Sequence, residues 1–227
     1  MIRHLNTLFV TTQGAYLAKD GQAVVVRVDG DVRLRLPFIN LGSIACFGRV
    51  SCSPGLMGAC AQAGIAISYL SEHGRFLASV QGFTSGNVLL RREQYRRADD
   101  AATTNAIART IVAAKIANAR TVLLRAARDN QSSAGRQSLE DCGARLGQIV
   151  SQARGTESTD VVRGMEGESA ALYFGVFNHL ITAQREHFVL NGRNRRPPLD
   201  PVNALLSFVY TLLVHDIRSA LETVGLD

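Results

Sequence analysis

Apolar residues change their spacing once along this chain, near Gly82, and that single change dictates the kind of fold open to it. Before that point they alternate with polar residues over short runs, the period-two signature of strands. After it they recur every three to four residues, the signature of amphipathic helices. The expectation for 227 residues is an α+β chain. A β-rich N-terminal domain spans residues 1–82 and an all-helical C-terminal domain spans 87–227, with Gly82 to Gly86 between them.

Turn chemistry bounds the strands. Residues 7–12 and 15–19 flank Gln13-Gly14, and Lys19-Asp20-Gly21-Gln22 carries the Asp-Gly hairpin signal ahead of Val24 to Val28. Asp29-Gly30-Asp31 turns the chain again. Val32-Arg33-Leu34-Arg35-Leu36 then alternates apolar and basic, as a strand with one wet face does, and Pro37 closes it. Strands are also expected over 44–47, 65–70 and 76–80, and a short helix from Ser53-Pro54 to about Ala63, where Gly64 stops it. In the second half the spacing predicts helices over 87–98, 100–128, 138–153, 159–181 and 201–224, with a polar loop at 129–137. Asp200-Pro201 opens the last helix and Gly225 ends it.

The formal charge is +6, and of 25 basic residues only Lys19 and Lys115 are lysines. That balance favours a polyanionic partner such as nucleic acid, met by planar guanidinium donors; a plain basic surface has the same composition. Cys46, Cys52, Cys60 and Cys142 lack zinc spacing and are expected to be buried free thiols. Met1 to Asn6 lacks the apolar core of a secretion signal, so the expected compartment is the cytoplasm. No apolar run is read as approaching the ~18 residues of a membrane span, so no membrane partner is expected.

Glu166 lies in Arg163-Gly164-Met165-Glu166-Gly167-Glu168, on the helix expected over 159–181. Each flanking glycine costs a helix about 1 kcal/mol relative to alanine, which suggests close approach by backbone or ligand. Two readings stay open: a carboxylate presented to a divalent cation, or a solvated glutamate on a helix that packs through its glycines. Glu168, two residues on, points to another face. His179, His187, His215 and Asp216 are the candidate co-ligands, each equally readable as an ordinary polar residue. On a continuous helix His179 would lie ~20 Å beyond Glu166, too far to share an ion.

Arg91, Arg92 and Arg96 cluster on the helix over 87–98. Lys115 stands among Arg109, Arg120, Arg125 and Arg128 on the next, and Arg193, Arg195 and Arg196 precede the last. Phosphate contact is one reading of these groups. A solvated face with local acids such as Glu93, Asp99, Asp100 and Asp129 is the other.

Taken together, these residues resemble the CRISPR adaptation integrase family, in its type I-C form, over the whole chain. The matching stretches include Gly64-Ile65-Ala66-Ile67-Ser68-Tyr69-Leu70-Ser71, Gly74-Arg75-Phe76, and Gly86-Asn87-Val88-Leu89-Leu90-Arg91-Arg92-Glu93-Gln94-Tyr95. They continue through Lys115-Ile116-Ala117-Asn118 and Gly164-Met165-Glu166-Gly167-Glu168-Ser169-Ala170. The most specific is Arg195-Arg196-Pro197-Pro198-Leu199-Asp200-Pro201-Val202-Asn203-Ala204. The resemblance implies that Glu166 is catalytic and a ligand of Mg²⁺ or Mn²⁺. It implies a β-domain that forms a homodimer, a helical catalytic domain, and a small second CRISPR adaptation protein as partner. The implied chemistry is metal-dependent cleavage and transesterification of double-stranded DNA, the spacer precursor and the CRISPR repeat, with a DNA 3′-hydroxyl as nucleophile in integration.

In that family a His and an Asp, the second and third metal ligands, lie beyond a Gly-Leu-Asp-Pro segment, whereas this sequence closes on Gly225-Leu226-Asp227. The expectation is a C-terminally truncated catalytic domain that binds metal poorly and cleaves little. The alternative expectation is a DNA-binding and dimerisation scaffold without catalysis, whose hold on DNA depends on salt and not on chelator.

Overall fold

A computed structural model of the chain describes residues 6–82, 88–130, 132–194 and 197–226. Contacts divide the chain into two compact units: residues up to Arg91 together with those from Ser207 onward, and Arg92–Leu206. The fold is α+β, with a β-rich region followed by a helical one.

The first unit contains β1 (Asn6–Val10), β2 (Tyr16–Asp20), β3 (Ala23–Val28), β4 (Asp31–Pro37), β5 (Leu41–Phe47), β6 (Ser51–Cys52), α1 (Pro54–Gln62), β7 (Ala66–Leu70) and β8 (Phe76–Val80). The strands make two four-stranded sheets, in the orders β1-β5-β7-β8 and β4-β3-β2-β6. The first sheet is parallel from β1 through β7, with β8 antiparallel at its edge. The second joins two hairpins to a parallel β2–β6 pair. Both hairpins fall where the Asp-Gly signals put them. At the β3–β4 turn Asp29 and Gly30 have φ of 53° and 89°, the positive values a two-residue hairpin loop requires. Val24-Val25-Val26 does not alternate because β3 is an inner strand with all three residues buried. Leu17, Val24, Ile44, Cys46, Leu56, Cys60 and Ile67 are buried in one core.

β4 departs from expectation. Its apolar residues were expected to line a buried face, yet Val32 is 58% and Leu34 39% exposed, and only Leu36 packs on the core. The strand lies at the edge of its sheet, and the core packs against β2 and β3 while reaching β4 only at Leu36.

All four cysteines are free and buried, as expected of reduced thiols. Cys46 and Cys52 sit with their sulfurs 4.0 Å apart. The hydrogen bond to Cys52, with burial, pushes the Cys46 thiol far above its ordinary range. The same bond draws Cys52 down to about 7 despite its own burial. Burial pushes Cys60 up to about 11 and also raises Cys142. A disulfide-exchange reagent at neutral pH should therefore label the Cys46–Cys52 pair ahead of Cys60 and Cys142, which stay unreacted until denaturant is added. Peptide mapping of the labelled protein checks this, and early labelling of Cys60 or Cys142 would contradict it.

The second half folds as α2 (Val88–Asp99), α3 (Ala101–Asp129), α4 (Ser133–Ala153), α5 (Thr159–Gly175), a 3₁₀ turn (Phe177–Leu180) and α6 (Pro201–Val224). Asp100 caps α3 by accepting from the Thr103 N–H at 2.9 Å, and the Thr103 hydroxyl and amide hold its carboxyl below the usual range. Ile116, Leu123, Leu139, Leu146 and Ile149 form the core shared by α3 and α4.

Two boundaries differ from those expected. α4 starts at Ser133, not Ser138, because the Ser132 hydroxyl accepts from the Gly135 N–H at 3.3 Å and caps it. Most of the polar stretch read as a loop is thus helix. α5 ends at Gly175, short of residue 181, and tightens into the 3₁₀ turn. There the Asn178 amide bonds Leu190 in both directions, at 3.1 and 2.8 Å, which fixes the turn. The continuous helix from Glu166 to His179 does not exist.

α6 begins at Pro201 and ends before Gly225, as read, with Gly225 at φ 84°. Over Pro201–Glu222 it is long and apolar enough to cross a membrane by length and composition, contrary to the expectation that no run approaches that length. Its Phe208 and Leu212 pack on Ala45, Phe47 and Leu70 within the first unit.

Candidate functional site

Helix α5 carries the glutamate motif, and its sequence explains its placement. Val162, Met165, Ser169, Leu172 and Tyr173 recur at helical spacing; Met165, Leu172 and Tyr173 pack on the α3–α4 core, while Val162 and Ser169 are buried. That orientation leaves Glu166 at the margin of the packed face and Glu168 further round.

Each glutamate is met by a cation from a different helix. Lys115 Nζ of α3 lies 2.5 Å from Glu166 Oε1. Arg145 of α4 donates to Glu168 Oε1 from Nη2 at 2.6 Å and from Nε at 3.1 Å. All four side chains are roughly half exposed, so each pair contributes about 0.2–1 kcal/mol and no more. Lys115, read from sequence as a phosphate contact, is thus the counter-ion of Glu166. Glu168 faces elsewhere, as its spacing required.

The glycines beside Glu166 do not do what was expected of them. A Cβ built on Gly164 or Gly167 meets nothing within 4 Å, and both residues are exposed. Neither close backbone approach nor packing among the described residues accounts for them.

Glu166 offers a hard carboxylate oxygen, the ligand type a divalent cation takes, and it is occupied here by Lys115. Among the described residues no group of three His, Cys, Asp or Glu side chains converges, so a complete coordination sphere is not assembled from them. His179 lies in the 3₁₀ turn, where its carbonyl accepts from Asn130. His187 is exposed beside Glu186. Asp216 belongs to the first unit, where it lines a small cleft with Thr7, Phe9 and Ser43. His215 lies on α6, and its side chain is outside the described ones.

The expected DNA-binding residues divide. Arg92 and Arg96 are exposed on α2, with Arg96 and Arg97 sharing Glu93 at 4.0 and 2.8 Å. The Arg97 hydrogen bond holds the Glu93 carboxyl below its usual range. Arg91 is half-buried on the same helix. Arg193 is engaged at home: its Nη1 donates to the Asn194 carbonyl at 2.6 Å and to Asn203 Oδ1 at 2.7 Å, and its guanidinium lies 6.0 Å from the Phe174 ring centre. Arg195 and Arg196 fall outside the described residues.

Sequence reasoning missed an open groove of about 530 Å³ between α3 and α4, walled by Ala117, Ala144, Gly147 and Ser151 and flanked by Arg120 and Arg154. Arg120 Nε donates to the Gly143 carbonyl at 3.1 Å, which fixes that guanidinium at the groove wall. Small residues at 144, 147 and 151, one per helical turn, were the available signal. Arg145 was missed as well, its role set by a helix pairing that no local pattern announces.

Residues 8–227 match the family model described as CRISPR associated protein Cas1. A curated relative, CRISPR-associated endonuclease Cas1 1 of Chlorobaculum tepidum, is 51% identical over 227 residues, covering 100% of this chain and 66% of the relative's length. Among solved structures, a chain of a Cas6-RT-Cas1–Cas2 complex superposes with TM-score 0.75 at 24% identity, over 100% of this chain and 24% of that one. A casposase bound to integration product gives TM-score 0.72 at 19% identity, over 98% of this chain and 63% of that one.

Proposed function

The chain belongs to the CRISPR-associated Cas1 family, and from that premise we propose that it serves as a metal-dependent DNA endonuclease and integrase in CRISPR spacer acquisition. The observation that carries the reading is Glu166, an acceptor presented at the margin of α5 and already partnered by a cation, in a relative of proteins named as endonucleases.

In this reading Glu166 would be one of the groups that hold Mg²⁺ or Mn²⁺, which would supply Lewis-acid chemistry at the phosphodiester. Arg91, Arg92 and Arg96, Arg195 and Arg196, and the Arg120–Arg154 groove are the proposed contacts to double-stranded DNA, through phosphates and therefore without sequence preference. The β-rich unit is the proposed homodimerisation domain, supported by the exposed Val32 and Leu34 on the outer strand β4. The Cas2 named in the superposing complex supports a small second adaptation protein as partner. The cytoplasm is the proposed compartment, supported by DNA as the proposed substrate.

The test is incubation of plasmid and linear duplex with the chain in Mn²⁺ or Mg²⁺, with and without chelator. Cation-dependent nicking or strand transfer by these 227 residues should be weak, since the described residues assemble no complete coordination sphere, and should fall to background in Glu166→Ala, while the salt-dependent gel shift of the same DNA stays unchanged. Cation-dependent cleavage that survives Glu166→Ala would refute the assignment. A chelator-indifferent gel shift with no cation-dependent chemistry at all would favour the scaffold reading.

A further inference from the structure

We propose that Lys115 is a resident counter-ion of Glu166 that competes with the divalent cation for its carboxylate; this rests on the reading of Glu166 as a metal ligand. Lys115 comes from mid-α3, next to the buried Ile116, and reaches across 51 positions of sequence to place Nζ 2.5 Å from Glu166 Oε1. A divalent cation on that carboxylate sets two positive centres within a few ångströms, and one must yield.

The chemistry of the residue suits it to yielding. Lysine is a point charge on a flexible four-carbon stem, and this one is 54% exposed, so its ammonium swings into water at small cost. The neighbouring pair is built differently. Arg145 grips Glu168 through two nitrogens on one oxygen, and its Nη1 is also held by Gln148 Oε1 at 3.2 Å. α5 thus carries one glutamate under a detachable cation and one under an anchored one. The detachable cation sits on the glutamate that the resemblance marks as the ligand. In the absence of metal, Lys115 keeps Glu166 aimed and neutralised. Lys115 is a positioning residue, acting through Glu166.

The experiment titrates Mn²⁺ into the 227-residue chain at fixed ionic strength and reads free Mn²⁺ by its paramagnetic resonance signal. Lys115→Met should lower the Mn²⁺ dissociation constant by about two- to fivefold, the range that an exposed ion pair commands. Lys115→Arg should put the dissociation constant at or above the original value, as a more firmly held counter-ion does, and Glu166→Gln in the Lys115→Met background should erase the gain. Arg145→Met, which removes the same charge from Glu168, should leave binding unchanged. Circular dichroism of each variant establishes that α3 to α5 remain folded. If Lys115→Met binds Mn²⁺ no tighter while Glu166→Gln weakens binding in both backgrounds, the counter-ion role is wrong and the ligand role stands. An equal gain from Arg145→Met makes the effect one of net charge and also overturns the proposal. If Glu166→Gln changes nothing in any background, Glu166 is not a ligand and both readings fall.

Discussion

Asn203→Ala should destabilise the chain by about 3 kcal/mol, a large cost for a residue that touches no catalytic group. Asn203 is fully buried. Its Oδ1 accepts from Arg193 Nη1 at 2.7 Å and the Asn194 N–H at 3.0 Å, and its Nδ2 donates to the Gly192 carbonyl at 2.8 Å and Asp200 Oδ2 at 2.7 Å. One amide therefore ties the 192–194 loop to the start of α6. Alanine leaves four partner groups to find water or go without, and each unsatisfied buried group costs about 1–3 kcal/mol, less where the loop can rehydrate. Urea midpoints at constant slope measure the loss, and a change below about 1 kcal/mol would remove Asn203 from this role. The variant should also respond differently to acid. Burial raises the Asp200 carboxyl, but the N–H groups of Asn203, Asn191 and Val202 and the Asn203 amide outweigh it, so the net displacement is downward. A lowered carboxylate stabilises the fold above its unfolded value and loses that contribution as pH falls through the folded one. Without the Asn203 amide, that acid-linked share should shrink.

Gly74→Val should cost roughly 4 kcal/mol, combining a backbone penalty with a lost apolar contact. Gly74 has φ +81°, where a β-branched residue is strained. A Cβ there would also lie 2.6 Å from the Phe208 ring. Phe208 has little room to retreat: its ring centre is 5.7 Å from that of Phe47, and it packs with Leu212 over Ala45 and Leu70. The turn is itself tied, with Gly74 N–H donating to the Ser71 carbonyl at 2.9 Å. Thermal denaturation of Gly74→Val alone and with Phe208→Ala separates the two causes. Phe208→Ala should absorb part of the valine penalty, and strict additivity would mean the ring and the glycine are not in contact.

The order of elements was legible because period and turn chemistry are local properties. Asp29-Gly30, Ser53-Pro54, Asp200-Pro201 and Gly225 each declare a backbone geometry through their own covalent structure, and each falls where it was read. The errors arose where a distant partner decides. Ser132 and Ser138 are equivalent caps by composition, and the choice follows from Asn130, whose Oδ1 accepts from the Ser132 N–H and shapes the turn. The early end of α5 depends on Asn178 meeting Leu190, and the exposure of Val32 and Leu34 depends on how far along β4 the core extends, which is only to Leu36. In the candidate site Glu166 stood out locally by its glycines, but for a reason that packing does not support. Its actual partner, Lys115, was visible only as one basic residue among several.

The seat of Phe208 has a consequence in time. Ala45, Phe47 and Leu70 leave the ribosome early, while the residues that cover them, Phe208 and Leu212, are made only after all of α2 to α5. At ordinary synthesis rates that interval is roughly seven to thirty seconds. Through it the nascent β-rich region carries an aromatic-lined surface with nothing over it, a natural landing place for a holding chaperone.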